Sequence, residues 1–122
     1  MPSATLIAEA TRRSGVIWVS GATSPPRMLW HVWHDGAAYV VGGGPEQELP
    51  VGPGDRATVV VRSKAAQAGV VVAWDAGVTA VAPGSELWEQ VVPLLAAERL
   101  NAPAGQVDRW ADDCLVLRLA PG

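Results

Sequence analysis

The sequence predicts a mainly β fold, a barrel of six to seven antiparallel strands with a short N-terminal helix and one longer helix before the C-terminal strand. Three observations carry this. Two apolar runs flank Asp35-Gly36, and Asp-Gly readily takes the positive φ angles of a two-residue hairpin turn. Arg56 to Arg62 and Val70 to Trp74 are continuous valine-rich runs of strand length, the pattern of strands covered on both faces. Val78 to Ala82 resumes the second run after Asp75-Ala76-Gly77, which reads as a bulge in one long strand bent at glycine, the way small sheets curl into barrels.

In chain order, Ala4 to Ser14 reads as a helix: Ser3 caps it, Leu6, Ile7 and Ala10 share a face, and Gly15 stands where glycine commonly ends a helix. Val16 to Ser20 has the β-branched and aromatic content of a strand, and Pro25-Pro26 keep the following loop non-helical. The hairpin spans Arg27 to Gly44. Gly42 to Asp55 is too rich in Gly and Pro to hold more than a turn. After the two valine runs, Ser85 caps the main helix, Glu86 and Glu89 suit its positive N-terminal end, and Leu87, Trp88, Val91, Leu94 and Leu95 form its apolar stripe. Pro93 lies inside that stripe and is expected to kink it, with two shorter pieces as the alternative. A helical turn is expected at Val107 to Trp110. Cys114 to Ala120 closes the chain as a strand with Leu115, Leu117 and Leu119 on one side and Val116 and Arg118 on the other.

Bulk properties narrow the function classes. At 122 residues the chain reads as a single domain, 1–122, able to bury about two-thirds of its extended surface. Only 17% of residues are charged, against roughly 25% in soluble domains, which leaves apolar surface that a homodimer can share. The net charge of −3 and the lack of a Lys/Arg cluster argue against a nucleic-acid partner. A single cysteine, Cys114, forms no intrachain disulfide. No run approaches the ~18 apolar residues of a membrane span and Met1-Pro2-Ser3 opens no signal peptide, so the expectation is a cytoplasmic protein with no membrane partner.

His31 and His34 invite a metal reading, but residues three apart on a strand point to opposite faces, and no metal site is expected. His31 shares a face with Leu29 and Trp33. An imidazole beside an indole can contact a flat ring ligand, and equally can belong to a core or dimer-interface aromatic layer. Arg62, Ser63 and Lys64 end a central strand, and Arg27 begins one that can approach them; such a set can hold a phosphate or carboxylate, or simply meet water. Gly52 to Ala57 matches the dinucleotide glycine spacing formally but lacks the strand before it and the helix after it. No catalytic triad, nucleophile elbow or paired-carboxylate motif is present.

The order of elements, with Gly15 to Val19, Trp33 to Val41 and Ala57 to Val61 as the most similar stretches, resembles the pyridoxamine 5'-phosphate oxidase-like split β-barrel family. That resemblance implies a six-stranded barrel, a homodimer, and FMN or deazaflavin bound across the dimer interface by an oxidoreductase. It also implies a basic Ser-x-Lys segment after the hairpin to hold the cofactor phosphate. Here that place reads Gly42-Gly43-Gly44-Pro45-Glu46-Gln47-Glu48, and carboxylates repel a phosphate. Two expectations follow. In the first, Arg27, Arg62, Ser63 and Lys64 hold the cofactor phosphate, with Trp33 and His31 near its ring. In the second, the protein is a non-catalytic dimeric barrel that binds no cofactor.

Overall fold

The computed structural model describes residues 2–62, 71–99, 105 and 107–122. Helix α1 (Ala4–Arg13) starts where Ser3 Oγ accepts from Leu6 N at 3.1 Å. It ends on Ser14 in extended backbone, so Gly15 does not supply the left-handed terminator expected of it. The strands are β1 (Val16–Ser20), β2 (Arg27–Trp30), β3 (Val32–His34), β4 (Ala37–Gly42), β5 (Arg56–Arg62), β6 (Val71–Ala80) and β7 (Leu115–Pro121). They form one antiparallel seven-stranded sheet in the order β2-β1-β5-β6-β7-β4-β3.

The two edge strands of that order, β2 and β3, are consecutive in the chain with only His31 between them. The sheet therefore curls until its edges are joined covalently, giving a nearly closed split barrel. Read alone, 27–34 is one strand. In the structure its first half pairs with β1 (Trp30 with Val16) and its second half with β4 (Val32 with Tyr39). The hairpin turn forms as expected, with Asp35 and Gly36 at φ 46° and 80°.

At the split, the loop after β4 fills the gap. Gln47 Oε1 accepts from Trp30 N at 3.0 Å, while its Nε2 donates to Trp30 O at 3.0 Å and Val41 O at 3.1 Å. One side-chain amide thus supplies the ladder bonds that β2 and β4 cannot make to each other.

Two expectations about the central strands are corrected. β6 runs without a bulge: its pairing with β5 is in register from Val71 to Gly77 and with β7 from Ala76 to Ala80. The strand changes partner at Ala76 and Gly77, which pair with β5 on one side and β7 on the other. Nor is β5 covered on both faces, since Ala57, Val59 and Val61 are buried while Thr58 and Arg62 are exposed and Val60 is half-buried.

Ile17, Val19, Leu29, Val40, Val59, Val61, Trp74, Leu117 and Leu119 fill the barrel, with Ile7 of α1 packed into the same cluster. A second cluster lies outside, where Tyr39, Val41 and Val116 meet Val91 and Leu95 of α2 (Glu86–Glu98) and Trp110 of α3 (Trp110–Asp113). Helix α2 passes through Pro93 as one element of 13 residues. A 3₁₀ turn, Val107–Arg109, precedes α3 at the place expected for a helical turn. No helix among the described residues is long and apolar enough to cross a membrane.

Candidate functional site

The strand break at His31 opens a cleft of about 380 Å³, lined by Arg12, Arg13, Ser14 and Gly15, by His31 to Trp33, and by Leu94, Ala97 and Glu98 of α2. His31 is 6% exposed. Its Nε2 lies 2.8 Å from the Thr11 carbonyl, and a carbonyl only accepts, so Nε2 carries the proton and Nδ1 is left as a bare acceptor. Nδ1 is itself buried and has no hydrogen-bond partner among the described residues. Burial holds the imidazole below its usual pKa, outweighing the upward pull of the Thr11 carbonyl and the Glu98 charge, so His31 is neutral at pH 7. Trp74 Nε1 donates to Thr11 Oγ1 at 3.3 Å, which ties this end of α1 to the barrel interior. Trp33 stands edge-on to Trp74, with ring centroids 6.1 Å apart.

The walls of the cleft differ in charge. Arg12 and Arg13 both pair with Glu9, at 2.6 Å and 3.2 Å, in exposed contacts of the kind that contribute little to stability. Glu98 borders the same cleft and has no ion pair among the described residues. Trp33, Val32 and Leu94 supply the apolar surface, and Leu94 is 40% exposed although it belongs to the helix's apolar stripe.

A second surface lies on the outer face of β2, β1 and β5. Trp18 pairs with Met28 on one side and Val60 on the other, and Val16 pairs with Trp30. Directly paired residues share a face, so these five side chains form one apolar patch. Continuing the β1 to β5 register by two residues sets Arg62 beside Val16, on the outer face it shares with Val60. Met28 is 54% exposed.

The structure divides the sequence-derived site residues among three places. His31 and Trp33 meet in the cleft. Arg62 borders the outer patch. Arg27 stands at the far end of β2: Val19 pairs with both Arg27 and Val59, which leaves Arg27 level with Val59 and on Val19's inward face. Two strands across and three residues along amount to about 14 Å between the Cα atoms of Arg27 and Arg62. Arg27 instead donates to Glu48 at 3.2 Å. Ser63 and Lys64 lie outside the described residues. His34 reaches Gln90 of α2 at 3.2 Å, so the two histidines contact different helices, as strand alternation requires.

The acidic loop is also more engaged than its sequence suggests. The Glu46 side chain is 1% exposed and accepts from Arg99 Nε at 2.8 Å, which neutralises it locally. Burial, with the Glu46 and Asp113 charges adding, pushes the Cys114 thiol up, so it remains protonated at neutral pH and is no activated nucleophile. Sequence reasoning missed Arg12, Arg13 and Glu98 because each looks like a solvated helix residue. The signal available was Leu94, an apolar residue whose helix position leaves it open.

No family model matches the chain, and no curated protein matches it. Two solved structures are similar along its whole length. One is the heme storage protein HutZ from Vibrio cholerae, 18% identical with a TM-score of 0.62, covering 100% of this chain and 92% of that one. The other is a FAD-binding protein from Mesorhizobium loti, 15% identical with a TM-score of 0.59, covering 99% and 91%. At such identities the likeness concerns the fold alone, and that fold is the split β-barrel.

Proposed function

We propose that this protein is a homodimeric split barrel of the pyridoxamine phosphate oxidase-like kind that binds a flavin, FMN or deazaflavin, and serves as an oxidoreductase. The observation that carries the reading is the outer face of β2, β1 and β5, where Val16, Trp18, Met28, Trp30 and Val60 form an apolar sheet surface that ends at Arg62. Such a surface suits a flat ring held under a second subunit, with Arg62, and Ser63 and Lys64 after it in sequence, on the cofactor phosphate. Glu46 and Glu48, the carboxylates that would oppose a phosphate, are each engaged by an arginine. The likeness to a FAD-binding protein supports a flavin. When bound, that group supplies the hydride chemistry, and the chain's part is to seat it and exclude water.

The test is a titration of the purified protein with FMN, FAD, deazaflavin and hemin, followed by visible absorbance, beside sedimentation velocity. Flavin binding to a dimer is expected. Arg62→Ala should weaken FMN by ~1 to 3 kcal/mol, the range for losing a charge-assisted hydrogen bond, and leave phosphate-free riboflavin unchanged. A dimer that binds none of the four supports the cofactor-free barrel instead. Tight hemin binding without flavin binding favours a storage role like that named for HutZ.

A further inference from the structure

The cleft at His31 is separate from the flavin face and has its own recognition chemistry. Arg12 and Arg13 at the end of α1 bring two guanidinium groups to it. Glu98, whose charge acts on the neighbouring His31 imidazole, brings an exposed carboxylate acceptor to the same cleft. Trp33, Val32 and Leu94 add apolar surface to the cleft. A ligand complementary to all three must carry an anion at one end, a cationic N–H donor at the other and an apolar body. Nucleic acid and extended polyanions fail, because Glu98 would face their charge. A simple fatty acid leaves Glu98 unanswered. The cleft's volume of about 380 Å³ falls in the usual small-ligand range and leaves room for a molecule of amino-acid size.

We propose that this cleft binds a small amphipathic zwitterion of the α-amino-acid class, its carboxylate on Arg12 and Arg13, its ammonium toward Glu98, and its apolar side chain on Trp33 and Leu94. The ligand carboxylate replaces Glu9 as the partner of the two arginines. That exchange is feasible because both Glu9 pairs are exposed. Thr11 and Trp74 hold the His31 ring in place, so binding needs no change in the barrel.

The experiment is calorimetry and tryptophan fluorescence on the full chain with L-leucine, L-phenylalanine, 4-methylpentanoate, which lacks the ammonium, and leucinamide, which lacks the carboxylate. Leucine or phenylalanine should bind at least about tenfold more tightly than either truncated analogue, the scale set by one charge-assisted contact. Glu98→Gln should weaken the amino acids about tenfold and leave 4-methylpentanoate unchanged, whereas Arg12→Gln combined with Arg13→Gln should weaken both. These side chains are exposed, and unchanged urea midpoints establish that the variants fold. Absence of binding by both amino acids up to ~50 mM, several times the dissociation constant that a low ligand efficiency gives a molecule of this size, overturns the proposal. So does a Glu98→Gln variant that loses leucine and 4-methylpentanoate equally. Flavin binding, read separately in the visible spectrum, is unaffected by either result.

Discussion

Replacing Gln47 with alanine tests the account of how the barrel is closed. The amide makes three contacts, to Trp30 N, Trp30 O and Val41 O, all in a partly buried position. A hydrogen bond contributes about 1 kcal/mol net, and a backbone group left unpaired away from water costs ~1 to 3 kcal/mol. Water entering the gap will satisfy some of the three groups, so the expected loss is ~2 to 4 kcal/mol, a large share of the ~5 to 15 kcal/mol that holds a small domain folded. Gln47→Glu should be no better, because a carboxylate can still accept from Trp30 N but is repelled by both carbonyls. Urea unfolding measures the loss as a lower midpoint at unchanged slope. Hydrogen exchange should show faster opening of the Trp30 amide in particular. A loss below ~0.5 kcal/mol with Trp30 protection intact would refute the view that this side chain stands in for a strand.

Three further outcomes are expected. His31 titrates below its usual value in the folded protein while the unfolded chain takes up its proton near pH 6.5, so stability should fall as pH drops below that point, by up to about 1.4 kcal/mol per unit. His31→Gln keeps a donor for the Thr11 carbonyl and should flatten that part of the stability profile, measured as urea midpoints between pH 7.5 and 5. Arg99→Met strands the buried Glu46 carboxylate and should cost ~3 to 5 kcal/mol in thermal or urea unfolding, with Glu46→Gln in the same background restoring part of it. Met28→Asp puts a charge in the exposed apolar patch, at its β2 side; if the proposed homodimer forms there, the variant should sediment as a monomer with little change in the unfolding midpoint, and a dimer that persists at low micromolar concentration would place the interface elsewhere.

Local chemistry made much of the fold legible. Ser3 and Ser85 cap the helices the sequence assigns to them because an N-cap hydroxyl answers its own helix's first amides. Asp35-Gly36 specifies its turn within two residues. The alternation of Leu117 and Leu119 against Val116 sorts β7's side chains between the two clusters. What local patterns misjudge is coverage. The unbroken valines of β5 read as a strand buried on both sides, yet Val60 faces outward beside Trp18. An apolar residue on an outer face is indistinguishable in sequence from one in a core, and only the position of the helices decides. Both α2 and α3 pack around β4 and β7, with Trp30 of β2 at the edge of their cluster, which leaves Val16, Trp18, Met28 and Val60 outside it. The site residues suffer from the same limit: Arg27 and Arg62 both terminate strands, but the register sends them to different faces.

The division of 27–34 is the deeper case, because nothing local marks it. From Met28 to Trp33 only His31 is polar, and each residue is compatible with one continuous strand. The break arises from competition between two partners, since β1 takes Trp30 and β4 takes Val32, and no single strand direction satisfies both once the sheet has curled. His31 falls at the point of divergence, where its side chain finds a helix carbonyl and its ring leaves one nitrogen unanswered. Gln47 then repairs the backbone on one side of the gap, in a loop that composition alone marks as irregular and acidic. Closure by the chain itself therefore produces, without any dedicated motif, a rigid wall, an orphaned acceptor and a cleft next to them. A barrel closed by continuous pairing would offer none of the three.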